Sequence, residues 1–380
     1  MPTTSAPRLR RLAAALLAAA ALLSACGGAP AAAPSGPASG PAAGGAKKTK
    51  VGFLYVGPVD DYGYNYAADQ GRLAMAKDLS ATVETVSAEN VPEDANAERV
   101  MEQMIKDGAT IIFPTSYGHF GPAVNVSKKH PEITFLHQGG LEPKEHVSSF
   151  FGEIWQMVYA SGVAAGRMTK TNKLGYIVAF PIPQTLLNIN AFQLGAKSVN
   201  PNVTTTVVFT ASWCDPAKNS EAANSLIDQG IDVLTQHQDC PKPVIEVAEK
   251  RGAMSVGYHA DASVVAPKGW ITAAIWNWGP LYEKMTQEAL AGDFKTPKLL
   301  RLGVKDNVVT LAPFGPGVSK EIQDQVLKVK QDIIAGTLKP FKGPVKDQSG
   351  KVRIEGDQPD TVTLEKTDYL VEGVIGTIPQ

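Results

Sequence analysis

The feature that most constrains the fold is an alternation of short apolar runs with helical stretches, which occurs twice, on either side of one long helical segment. Apolar runs at 50–56, 82–88, 110–115, 134–137 and 147–151 read as strands, and 64–79, 95–106 and 121–129 between them have helical composition. Turn-forming residues punctuate the series, among them Gly57, Pro58, Asp60, Asp61 and Gly63 after the first run. Segment 154–169 is continuously helical, and the alternation then restarts. Strands are expected at 173–180, 204–211, 233–238, 254–258 and 271–275, with helices at 184–198, 216–228, 243–250 and 281–290. Strands alternating with helices build parallel sheets. The expected fold class is therefore α/β with two lobes, each a mostly parallel sheet flanked by helices, the first at 50–170 and the second at 171–292. Strand order within each sheet is not readable from the pattern. Residues 293–380 change character, with a strand at 308–312, a helix at 320–334 and a hairpin turned at Asp347, Gln348, Ser349 and Gly350. This tail is expected to pack across both lobes.

The N-terminus falls outside the alternation. Arg8, Arg10 and Arg11 precede an uncharged Ala/Leu run at 12–23, the layout of a secretory signal. A run of about a dozen residues is short of the roughly 20 needed to cross a bilayer as a helix. Leu23, Ser24, Ala25 and Cys26 resemble a bacterial lipobox, so residues 1–25 are expected to be removed and Cys26 to be acylated. Residues 26–49 are rich in Ala, Pro and Gly and too poor in large apolar groups to fold. As a flexible coil this linker spans roughly 25 Å. The expected location is the extracytoplasmic face of the cell membrane, reached through the lipid.

Removing residues 1–25 takes away Arg8, Arg10 and Arg11 and no acidic residue, which moves the formal charge from −1 to about −4. The body carries no block of Lys and Arg, which gives no support for nucleic acid as a partner. About 355 residues remain, more than the roughly 250 to 300 at which a single core stops growing. Cys214 and Cys240 follow strands that are consecutive in sequence, and neighbouring parallel strands lie only about 4.8 Å apart. A disulfide between them is sterically open, with two buried free thiols as the alternative.

Catalysis finds little support. There is no glycine-flanked serine elbow, no phosphate-cradling Gly-Lys-Ser/Thr loop and no paired-histidine helix motif among the six histidines. No cofactor or metal is expected, since His237, Asp239 and Cys240 lack a second cluster at zinc-site spacing. Asp60 and Asp61 with a bound metal would be the route to a nucleoside hydrolase, but adjacent Asp residues in such a loop read as a helix cap and a solute contact.

Ligands of open α/β sheets bind outside the carboxyl ends of the strands. The loops there are rich in aromatic, amide and acidic groups: Tyr62, Tyr64 and Asn65, then Ser116, Tyr117, His119 and Phe120 in the first lobe. In the second lobe they are Trp213 and Asp215, Gln236 through Asp239, His259 and Asp261, and Trp276, Asn277 and Trp278. Aromatic faces from two lobes can sandwich a flat ring. Amides and carboxylates then satisfy ring nitrogens that would otherwise be buried unpaired.

KVGFLYVGPVDDYGYN at 50–65 resembles the first strand and loop of the basic membrane protein family of ABC-transporter substrate-binding lipoproteins. IIFPTSYGH at 111–119, LGYIVAFPIPQTLLNINAFQLGAKSVNP at 174–201, SWCDPAK at 212–218 and DYLVEGVIG at 368–376 extend the resemblance along the body. It implies the type I periplasmic-binding fold, a purine solute and an ABC permease as membrane partner; a monomer is expected. Carried over by position, Tyr64 and Trp213 are the stacking groups, and Asp61 and Asn65 are polar contacts. Asp261, Asn277 and Trp278 fall in segments that face the cleft in the family. Tyr117 and Asp239 complete the expected site. One departure matters: many nucleoside-binding relatives have Gly-Val-Asp-Ser-Asp where this chain has Gly257, Tyr258, His259, Ala260 and Asp261. His259 thus replaces a carboxylate suited to paired ribose hydroxyls, which implies a free base such as adenine as readily as a nucleoside. Hinged closure of the lobes would be the signal passed on. A lipid-anchored sensor reporting to a membrane regulator is the alternative.

Overall fold

The computed structural model describes residues 47–379. The expected signal, Cys26 and most of the linker lie outside them. The first series comprises β1 (Thr49–Leu54), α1 (Tyr64–Asp78), β2 (Val83–Ala88), α2 (Ala95–Lys106), β3 (Ala109–Pro114), α3 (Phe120–Ser127), β4 (Thr134–Gln138) and β5 (Val147–Gly152). After α4 (Trp155–Met168) comes the second: β6 (Lys173–Val178), α5 (Pro183–Lys197), β7 (Thr204–Phe209), α6 (Pro216–Asp228), β8 (Val233–His237), α7 (Lys242–Arg251), β9 (Met254–His259), β10 (Trp270–Trp276) and α8 (Trp278–Leu290). The tail adds β11 (Leu299–Leu302), β12 (Val309–Leu311), α9 (Lys320–Ala335), β13 (Val345–Lys346), β14 (Val352–Ile354), α10 (Thr361–Leu364) and β15 (Val374–Ile375).

Local chemistry explains where helices begin and which face they bury. Asp94 caps α2 by accepting from the Asn96 amide at 2.7 Å, and Ala97, Met101 and Met104, at i, i+4 and i+7, turn inward. Asp215 accepts from the amides of Ala217 and Lys218, both at 3.1 Å, and Pro216 takes the first helical position of α6. The central strands are buried on both faces because helices cover both; every residue of β5 is buried, Ser148 and Ser149 included.

The sheet of the first lobe runs β11-β5-β4-β3-β1-β2 and is parallel throughout. That of the second runs β12-β10-β9-β8-β6-β7-β15, with only β12 antiparallel. Without the tail strands both have one order, 2-1-3-4-5, whose reversal point lies between the first and third strands of each series. The tail contributes an edge strand to the first sheet and one to each edge of the second, and β13 and β14 form the hairpin.

Two helices pack on the lobe opposite to the one that their place in the chain suggests. Helix α4 lies against α5 and β10 of the second lobe. A side chain at Gly162 or Gly195 would collide with the facing backbone at Phe192 or Tyr159, so glycine is what permits this approach. Helix α8 returns to the first lobe, where it packs on α1 and sets Tyr282 among Phe53, Phe113 and Phe150 at centroid distances of 5.4, 4.9 and 6.0 Å. The lobe limits expected at 170 and 292 fall just after α4 and α8, which each pack on the other lobe, and α8 begins at Trp278 rather than at 281.

The chain crosses between lobes after β5, after β10 and between β11 and β12. These crossings lie side by side: Glu153 donates its amide to Leu302 O, Val304 its amide to Gln156 Oε1, and Asn277 its amide to Val308 O, each at 2.8 Å. Together they form the hinge.

Candidate ligand-binding cleft

The carboxyl ends of the two sheets face each other across a narrow cavity of about 40 Å³. The lobes touch beside it. The Tyr64 amide donates to the Asp239 carbonyl at 3.2 Å, and a Cβ at Gly63 would run into that carbonyl and the Pro241 ring. The structure is thus a closed form.

The first-lobe wall is built on the loops after β1, β3 and β4. Tyr64, at the start of α1, donates its hydroxyl to Thr115 O at 2.6 Å and meets the His259 ring edge-on at 5.3 Å. Ser116 and the Gly118 amide both donate to Glu93 Oε1, at 2.5 and 2.8 Å. Tyr117 reaches the cavity but is 52% exposed.

The second-lobe wall comes from the ends of β6 to β9. Trp213 lies edge-on to Phe180, and its backbone carbonyl accepts from the Asp239 amide at 2.8 Å. Cys214 and Cys240 are joined in a disulfide immediately after these two residues. The loops that carry Trp213 and Asp239 are therefore fixed to each other twice. Burial, with the carboxylates of Asp61 and Glu93 nearby, pushes the Asp239 carboxyl well above its usual range. Burial holds His237 neutral, its pKa pulled down to about 3, and lowers that of His259 strongly, with His237 adding to the effect. Gln184 presents a buried side-chain amide nitrogen with no partner.

Of the residues expected at the site, Tyr64, Tyr117, Trp213 and Asp239 meet around this cavity. Asp61 and Asn65 do not line it. Asp61 accepts from the amides of Gly63, Asn65 and Tyr66 and from Asn65 Nδ2, while Asn65 Oδ1 takes the Gly57 amide at 3.3 Å. These bonds lock the loop that presents Tyr64. Asp261, Asn277 and Trp278 border a separate chamber of about 200 Å³ that shares His259 with the cleft. Asp261 accepts from the Ser263 amide, Asn277 donates to Asn307 O in the hinge, and Trp278 stacks on Trp276 at 4.6 Å. Conversely, Glu93, Phe151, Ile182, Gln184, His237 and His259 line the cleft without belonging to the expected set. His237 and His259 end strands and carry the positional signal; Glu93 and Gln184 lie beyond the loops where that signal is strongest. Among the described residues, no three His, Cys, Asp or Glu are placed to hold a metal, and no helix is long and apolar enough to cross a membrane.

Two lobes of equal strand order, joined by a triple hinge and meeting at the carboxyl ends of their sheets, have the architecture of a two-lobed solute-binding protein. Residues 48–340 match the Bmp family model, described as ABC transporter substrate-binding protein PnrA-like, and the chain belongs to that family of extracytoplasmic solute receptors. It is 38% identical over 339 residues to a purine-binding protein of Brucella abortus, covering 88% of this chain and 95% of the relative. It is 33% identical to a putative ABC transporter glucose-binding protein of Haloferax volcanii, covering 86% and 80%. The fold matches that of an ABC transporter solute-binding protein from Conexibacter woesei, with a TM-score of 0.64 at 22% identity, over 77% of this chain and 98% of that one.

Proposed function

We propose that this protein captures a purine, with the free base favoured over the nucleoside, and presents it to an ABC permease while tethered to the membrane through an acylated Cys26. The observation that carries the reading is the closed cleft in which Tyr64 and Trp213 approach from opposite lobes beside the carboxyl of Asp239. Aromatic groups on two sides suit a flat ring, and a buried carboxyl can accept from the N–H groups at a purine's edge. The purine-binding relative from Brucella abortus supports the same ligand class. His259, where nucleoside-binding relatives carry a carboxylate, favours a ligand without ribose.

The mechanism needs no covalent step. A ligand that touches both walls favours the closed form by its differential affinity for it, and the three hinge crossings let the lobes rotate as bodies. Closed, the two lobes present one continuous surface to the permease. Calorimetry against adenine, guanine, hypoxanthine, adenosine and glucose tests the ligand class. Submicromolar binding of a purine base is expected. Binding of glucose alone would move the chain to the function named for its relative from Haloferax volcanii, and binding of none would remove the purine reading. Radiolabelled palmitate incorporation in a bacterial host, lost in Cys26→Ser, tests the tether. Purine uptake that persists when the gene is deleted would favour a sensor over an importer component.

A further inference from the structure

His259 combines four properties that its place at the end of β9 does not require. It is a non-glycine residue at φ 77°, a strained backbone state that persists where the surroundings enforce it. It is 2% exposed and lines the cleft. Its Nδ1 lies 2.8 Å from Trp276 Nε1. Its Nε2 has no partner among the described residues.

The indole N–H can only donate, so His259 Nδ1 must be the bare acceptor. A second proton would place two N–H groups head to head. The neutral ring therefore carries its proton on Nε2, as a buried donor without an acceptor. Such a group is destabilising until something accepts from it. The titratable groups facing the ring are neutral, Tyr64 and Tyr258 held protonated and His237 unprotonated by burial, and none of them makes a hydrogen bond to Nε2.

We infer that His259 is the specificity-determining donor of the cleft, its Nε2–H tautomer fixed by Trp276, and that it selects ligands bearing an unprotonated acceptor, either a ring nitrogen or a carbonyl oxygen. Among the described residues, no hydrogen bond reaches the Asp239 carboxyl, which burial holds toward its protonated form, and its carbonyl oxygen can accept from a donor on the same ligand. A ligand that offers both groups from one planar edge matches this pair. A sugar hydroxyl can also accept, but it does not have to lie in a fixed plane. The inference rests on the purine reading for its choice of probes.

Two measurements test it. In ¹⁵N-histidine NMR of the purified protein, with His259 assigned by its loss in His259→Gln, Nε2 should carry the proton and the ring should not titrate between pH 5 and 8. A proton on Nδ1, or an imidazolium in that range, overturns the inference. Secondly, adenine is compared with 1-deaza-, 3-deaza- and 7-deazaadenine, each of which replaces one ring nitrogen by C–H. One analogue should bind the wild type at least tenfold more weakly than adenine, and that discrimination should shrink to within about twofold in His259→Phe. His259→Gln, which keeps a side-chain N–H, should retain part of it and guards against misfolding of the Phe variant. Equal discrimination in wild type and both variants, or none in the wild type, overturns the inference. If adenine itself fails to bind, the purine reading falls and the NMR result alone decides the tautomer.

Discussion

The two walls of the cleft come from sheets of one strand order, yet they treat their polar groups in opposite ways. On the first-lobe wall, Tyr64 donates to Thr115 O and Ser116 to Glu93, so these groups are satisfied before any ligand arrives. On the second-lobe wall, His259 Nε2 and Gln184 Nε2 are buried without partners and the Asp239 carboxyl is held far from its usual state. The first lobe offers a finished shape; the second holds unmet hydrogen-bonding demand. Discrimination between ligands should therefore reside mainly in the second lobe, because an unmet buried group penalises every ligand that cannot satisfy it.

Acidification is the largest expected effect, and it should treat the lobes alike. Burial pulls His137 of the first lobe down to about 4 and His237 of the second down to about 3, against about 6.5 in an unfolded chain. With folded values below the unfolded one, the unfolded chain takes up protons first. Stability is full above about pH 6.5 and is lost as pH falls toward 4 and then 3, by a few kcal/mol for each group. Urea unfolding at pH 7.5 and 4.5 measures this, and an unchanged midpoint would mean that neither imidazole is buried as described.

The disulfide should separate the lobes again. Replacing Cys214 and Cys240 together by Ser removes a staple found only in the second, and costs about 3 kcal/mol by the chain-entropy argument. Ligand affinity should fall with it, since both tethered loops carry cleft residues. Equal unfolding curves for variant and wild type would show that the backbone bond from Asp239 to Trp213 suffices.

Single cleft substitutions complete the contrast. Asp239→Ala should weaken binding about 50- to 100-fold, the cost of an unmet donor on the ligand. Trp213→Ala should cost more than tenfold with the fold intact, and Tyr117→Ala, on the exposed rim of the first lobe, less than about threefold. Titration calorimetry on the three variants gives the order, and a larger loss at Tyr117 than at Trp213 would invert the comparison.

How much of this was legible in the sequence depends on how local the cause is. The strands 50–56 and 173–180 announce themselves as apolar runs bounded by turn residues, and α6 by Asp215 and Pro216. Strand order and the exchange of α4 and α8 follow from packing across the whole chain, which no local pattern encodes. Edge strands such as β15, two residues long, have no run to read. At the site, Trp213 and Asp239 could be read because strand ends face the cleft. Asp61 carries the same positional signal, yet its carboxylate turns back to bind its own loop. Which way a side chain turns is decided by neighbours distant in sequence, as the Trp276 indole decides which nitrogen of His259 is bare.

The exchanged helices also govern how the gene can be divided. A fragment ending near residue 170 would keep α4 without the α5 groove that its glycines fit, and would lack the Tyr282 ring that fills the space among Phe53, Phe113 and Phe150. Each half would display the other's docking face as bare apolar surface. Co-expressed halves should assemble, whereas either alone should aggregate, so the smallest heritable unit of this fold is the pair.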